Sequence, residues 1–61
     1  MRNRIKEYRE KLGWSLEKLA RMANLSRTCV VNAENGTNCT VSTAMKICKA
    51  LGADFNTVFL P

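Results

Sequence analysis

Four residues constrain this chain more than any others: Gly13, Asn24, Gly36 and Gly52. Glycine, and after it asparagine, takes the left-handed backbone at which helices stop. The sole proline is the last residue, so nothing else breaks the pieces between them. Those pieces run to roughly 9–15 residues, room for helices of a few turns at most. Within them apolar residues recur every three or four positions, and no segment of consequence alternates with period two. A chain of 61 residues holds one domain, which buries only about 60% of its unfolded surface. Size alone excludes a Rossmann unit or a barrel. The expectation is one all-α domain over residues 1–61, five short helices joined by brief connections.

The first helix is expected from Arg2 to Leu12, with Ile5, Tyr8 and Leu12 on its apolar face and Gly13 ending it. Ser15 is placed to cap a second helix, whose inward residues Leu16, Leu19, Ala20 and Ala23 follow the i, i+3, i+4, i+7 pattern. Asn24 stops it, Leu25 enters the core, and Ser26 caps a third helix from Arg27 to about Glu34. Val30 and Ala33 point inward there, with Cys29 partly covered. Arg27, Thr28, Val31 and Asn32 point outward. Asn35-Gly36 is a stop signal. Thr40 caps a fourth helix with Val41, Ala44, Met45, Cys48 and Leu51 inside and Lys46 and Lys49 outside. Asn56 is expected to cap a last turn holding Val58, Phe59 and Leu60. Tyr8, Trp14 and Phe55 are read as core or core-edge residues.

Composition removes several functions. With 46% apolar and 25% charged residues the chain is globular rather than disordered. No apolar run approaches the roughly 18 residues of a membrane helix, and the first ten residues lack the apolar stretch of a signal peptide. A soluble, cytoplasmic protein without a membrane partner is expected. There is no histidine, so the usual general base near neutral pH is missing. The glycines form no phosphate-cradling loop, and no enzyme activity, cofactor or small-molecule ligand is expected. Cys29, Cys39 and Cys48 are odd in number and widely spaced. They suit neither a disulfide framework nor a zinc site and read as packing residues, with no metal expected. The net charge of +5 is uneven: residues 1–36 carry +4 and the rest +1. A basic half of this kind suits nucleic acid.

Two helices of about eight residues joined by Asn24-Leu25-Ser26 have the length pattern of a helix-turn-helix, over about residues 15–35. The small Ala20 lets the two helices cross closely. Other pieces run through the whole chain: Arg4-Ile5-Lys6-Glu7 with Arg9, Gly13-Trp14-Ser15, Leu19-Ala20, Ser26-Arg27, Glu34-Asn35-Gly36, and Lys46-Ile47-Cys48-Lys49-Ala50-Leu51-Gly52. In this order they make the chain resemble the lambda-repressor and Cro type of helix-turn-helix regulators, the XRE family. It departs from that pattern at four places. Leu16 stands where Gln is usual, Asn24 where Gly is favoured, and Cys39 near a common Pro. Ala33 replaces a larger Ile or Leu, a deficit that Trp14 or Met45 is expected to fill.

The resemblance implies that the third helix enters the major groove of double-stranded DNA. Arg27 then reads guanine through its two-pronged guanidinium, Thr28 and Val31 meet thymine methyls, and Asn32 bonds adenine. Phosphates are expected at backbone N–H groups of helix starts, from Leu16 and Glu17. The resemblance adds Asn35, Gly36, Thr37 and Asn38 in the loop. Ser26 divides itself between capping and a backbone contact, and Arg2 and Arg4 reach flanking phosphates. Arg9 is expected to pair with Glu34 and turn toward phosphate. The function implied is a bacterial or phage-encoded repressor, binding a palindromic operator as a homodimer through Val58, Phe59 and Leu60. The competing reading on the same fold is a protein-interaction module, an antitoxin or anti-repressor. Salt-dependent DNA affinity distinguishes them.

Overall fold

The computed structural model describes residues 2–37 and 39–59. They form α1 (Ile5–Lys11), α2 (Leu16–Ala23), α3 (Arg27–Asn35), α4 (Val41–Leu51) and α5 (Phe55–Val58). Three starts follow the side chains expected. Ser15, Ser26 and Thr40 accept at 3.1 Å from the backbone N–H of Lys18, Cys29 and Thr43. Each such cap is worth about 1 kcal/mol. The last start does not: Asp54, not Asn56, precedes α5, and its side chain makes no capping bond.

The turn between α2 and α3 rests on Asn24, which lies in the left-handed region at φ 59°. Among non-glycine residues described it alone has positive φ. Asparagine tolerates that conformation at little cost. The reversal lets the Leu25 N–H donate to the Ala20 carbonyl at 2.8 Å, which closes α2 and tucks Leu25 against the core.

Ile5, Leu19, Val30, Ile47 and Val58 are fully buried, one from each helix, and Ala20, Ala23, Ala33, Ala44, Cys48, Leu51 and Phe59 pack around them. Burying each large aliphatic side chain stabilises by about 1.5–3 kcal/mol. α2 packs on both α3 and α4, and these two pairings are the most extensive between helices. Its small Ala20 and Ala23 allow that close approach. Tyr8, Trp14 and Phe55 pack partly buried at the core's edge.

The inward face of α4 differs from the expected one. Ala44, Ile47, Cys48 and Leu51 are buried, while Val41 and Met45 are 63% and 59% exposed. Val41-Ala44-Met45-Cys48 and Ala44-Ile47-Cys48-Leu51 are both helical stripes, rotated by a fraction of a turn. Packing against α2 and α5 selects the second. Met45 therefore does not compensate for the small Ala33. Leu12, expected on the apolar face of α1, follows that helix and is exposed. Cys29 is exposed as well.

The chain ends meet. Asn3 and Phe59 form an isolated antiparallel bridge, and the Arg4 N–H donates to the Val58 carbonyl at 2.7 Å. Phe59 stacks on Phe55 with ring centres 4.9 Å apart. Val58 is fully buried and Phe59 is 5% exposed, which corrects the expectation that they form a dimer surface. The bridge and the Phe55 ring cover them within one copy. Leu60, assigned to the same surface, lies outside the described residues.

Candidate nucleic-acid interface

Helical geometry, at about 100° per residue, sets the outward side of α3. Val30 and Ala33 are buried, so Thr28, Val31, Asn32 and Asn35 occupy the opposite side, with Arg27 and Cys29 at its borders. Thr28 and Asn35 are exposed, and Val31 and Asn32 half-buried. The four residues expected to read bases thus share one surface. Cys29 joins that surface unannounced. At 200° from Arg27 it stands on the far border, next to the direction of Ala33, and only the fold leaves it exposed.

Arg27 is not alone at its border. Its Nε lies 3.6 Å from a carboxylate oxygen of Glu17, with both side chains 63% exposed. An exposed pair at that separation contributes only about 0–1 kcal/mol. Glu17 biases where the guanidinium waits without tying it down. Because Glu17 heads α2, the contact also joins the starts of both helices on one side.

Those starts are electropositive. In α2 the first backbone bonds are Lys18 N–H to the Ser15 hydroxyl and Leu19 N–H to the Ser15 carbonyl. The N–H groups of Leu16 and Glu17 precede both and have no carbonyl within the helix. The same holds for Arg27 and Thr28 ahead of Cys29 and Val30 in α3. Such groups, with the helix dipole behind them, attract an anion without a lysine. Ser26 is committed as a cap through its hydroxyl.

In the loop after α3, two of the N–H groups expected at phosphates are bonded within the chain. The Gly36 N–H donates to the Ala33 carbonyl at 3.1 Å and the Thr37 N–H to the Asn32 carbonyl at 2.9 Å. Gly36, at φ 78°, folds the chain back so that these bonds close the helix end. Asn35 keeps an exposed side chain on the last turn of α3. Arg2 lines a shallow polar groove with Asn3, Glu34 and Asn35, and Arg4 is exposed. Asn38 lies outside the described residues.

Arg9 makes the pair with Glu34 expected of it. Its Nε donates to Glu34 at 2.8 Å, and Nη1 donates to the Trp14 carbonyl at 2.9 Å. Both side chains of the pair are only 12% exposed. The pair joins α1 to α3 and holds the chain leading into α2.

Among the described residues no three Cys, Asp or Glu gather as a metal site. Burial raises the Cys48 thiol above its ordinary value, with the nearby Asp54 carboxylate adding to the effect. Burial raises Cys39 too. Both are therefore poorer thiolates than an ordinary cysteine.

This arrangement has relatives. A family model described as helix-turn-helix matches residues 5–58. The chain belongs to the XRE-type helix-turn-helix family of DNA-binding transcriptional regulators. A protein of Archaeoglobus fulgidus named as an HTH-type transcriptional regulatory protein is 47% identical over 49 residues, covering 80% of this chain. This chain spans 16% of that relative's length. The HTH-type transcriptional regulator YgzD of Bacillus subtilis is 37% identical over 60 residues, 97% of this chain and 91% of its own length. In the helix-turn-helix, α2, the Asn24 turn and α3 are the two helices and their connection, and the all-helical fold is that of the family. No helix among the described residues is long and apolar enough to cross a membrane.

Proposed function

We propose that this helix-turn-helix chain is a sequence-specific repressor that binds a palindromic operator in double-stranded DNA as a homodimer. The observation that carries the reading is the outward side of α3. There Thr28, Val31 and Asn32 lie together beside Arg27, on a surface flanked by the free N–H groups at the starts of α2 and α3. The four side chains suit base edges: a fork for guanine, an amide for adenine and two methyl-bearing groups for thymine. Phosphates on either side meet the N–H groups of Leu16 and Glu17, helped by Arg2 and Arg4.

Reach supports dimer binding. The longest dimension of one copy is 26 Å, and successive major grooves on one face of DNA lie about 34 Å apart. Two α3 helices on one operator therefore require two copies. With Val58 and Phe59 enclosed, the partner contact falls to the exposed pair Val41 and Met45 on α4.

Selection from random duplex DNA with the intact protein is the direct test. It is expected to return a palindrome, bound with steep salt dependence at two copies per duplex by sedimentation. Arg27→Ala is expected to cost about 1–3 kcal/mol at one base pair per half-site and to relax preference there. A uniform loss over all sequences reassigns Arg27 to phosphate. Failure to bind any duplex at low salt refutes the DNA reading in favour of the protein-interaction module. One copy per palindrome refutes the dimer alone.

A further inference from the structure

The two ends of α3 are held differently. At its start, α3 is capped by its own Ser26 and touched by the loose Glu17 pair. At its other end two residues from the beginning of the chain grip adjacent positions. Arg9 binds the Glu34 side chain at 2.8 Å, and the Asn3 Nδ2 donates to the Ala33 carbonyl at 2.8 Å from 30 residues away. That carbonyl belongs to the last turn of α3 and already accepts from the Gly36 N–H at 3.1 Å, so the Asn3 amide is a second donor on its other lone pair.

The same Asn3 side chain works in a second direction. Its Oδ1 accepts from the Ile5 N–H at 3.2 Å and so opens α1, where the preceding Arg4 makes no side-chain cap. Its backbone is bridged to Phe59. One residue thus meets the start of α1, the end of α3 and the chain after α5. Asparagine suits this because one short planar amide carries both a donor and an acceptor. Aspartate keeps the acceptor but turns a carboxylate on the Ala33 carbonyl. Serine keeps a local acceptor for Ile5 and is too short to span to α3.

We infer that Asn3 is a positioning residue for DNA recognition: its amide bond to the Ala33 carbonyl sets the tilt at which α3 presents Arg27, Thr28, Val31 and Asn32. The inference rests on the DNA-binding reading above. Asn3 touches no base in this role. It acts through α3, so its loss weakens base contacts while leaving the phosphate contacts at the starts of α2 and α3 in place.

The experiment compares wild type with Asn3→Asp, Asn3→Ser and the core variant Leu51→Ala, all as the intact chain and well below each melting transition. The probes are the duplex selected with wild type and a scrambled duplex of equal length. Each asparagine variant is expected to lose about tenfold in affinity for the selected duplex, the size of one displaced base contact. In Asn3→Ser, affinity for the scrambled duplex and the salt slope stay unchanged; in Asn3→Asp the added carboxylate beside Arg2 and Arg4 weakens both duplexes slightly, and the selected one by the further tenfold. Leu51→Ala, a destabilised protein with α3 still gripped, is expected to bind both duplexes as wild type does. Selected-duplex affinity within twofold of wild type in either folded asparagine variant overturns the inference. So does a parallel loss on both duplexes, or the same selective loss in Leu51→Ala. If both asparagine variants fail to fold, Asn3 is a folding residue and the inference falls. A wild-type protein that selects no duplex refutes the DNA reading itself, and this role with it.

Discussion

Glu34→Ala tests how much of the geometry around α3 depends on Arg9. An exposed ion pair contributes about 0–1 kcal/mol, while removing one partner of a fully buried pair costs about 3–5 kcal/mol. Both Arg9 and Glu34 are 12% exposed, close to the buried limit. Arg9 keeps its bond to the Trp14 carbonyl, which lessens the loss. The expected cost is about 2–3 kcal/mol, between those two limits. A domain of this size has a total stability of about 3–9 kcal/mol. The melting temperature should fall by about 10–20 °C, measured by circular dichroism on wild type, Arg9→Ala, Glu34→Ala and the double variant. The cycle should give a coupling of at least about 1 kcal/mol. Because the pair is shielded, most of that coupling should survive high salt, which erases exposed pairs. A coupling below about 0.5 kcal/mol, or one abolished by salt, would refute the argument and return Arg9 to the surface.

Phe59→Asp places a carboxylate in a buried site against the Phe55 ring and is expected to abolish the cooperative thermal transition; a folded variant with weakened self-association would restore the C-terminal dimer surface. Leu19→Ala, at a fully buried position, should cost about 2–5 kcal/mol in a urea melt, and an unchanged midpoint would mean that the inward face of α2 is misassigned. The thiols should separate by reactivity: exposed Cys29 reacts first with a disulfide reagent, and Cys48 reacts only on unfolding. The raised Cys48 thiol also fixes a sign. Its preference for the neutral form stabilises the fold below the ordinary thiol range, and that stability is lost as pH rises through the folded value. A Cys48→Ala variant that loses stability in the same way over that alkaline interval would refute this assignment.

DNA binding and positioning separate clearly in what the sequence exposes. The outward placement of Arg27, Thr28, Val31 and Asn32 was legible because Val30 and Ala33 fix the inward side of α3, and a helix then dictates the outward one. The Arg9–Glu34 pair was legible through the family resemblance, though not its burial. Asn3 was not legible at all. Its partner on α3 is 30 residues distant, and the bond it makes locally, to the Ile5 N–H, says nothing of that partner. The internal bonds of the Gly36 and Thr37 N–H groups were hidden for a related reason: each can face outward or back onto α3, and only the folded turn shows that they close the helix.

What the sequence determined by itself are the features that act within one helical turn. Ser15, Ser26 and Thr40 start helices because their oxygens reach the backbone three residues on. Asn24 and Gly36 stop helices because each accepts a left-handed conformation. The tertiary structure decided every choice between equally good local answers. Val41 with Met45 and Ile47 with Leu51 form competing stripes on α4, and the faces of α2 and α5 select the second. Val58 and Phe59 look like surplus apolar residues until the Asn3 bridge and the Phe55 ring enclose them. Local bonds are set by neighbours along the chain, whereas burial is set by whichever surfaces the fold brings together.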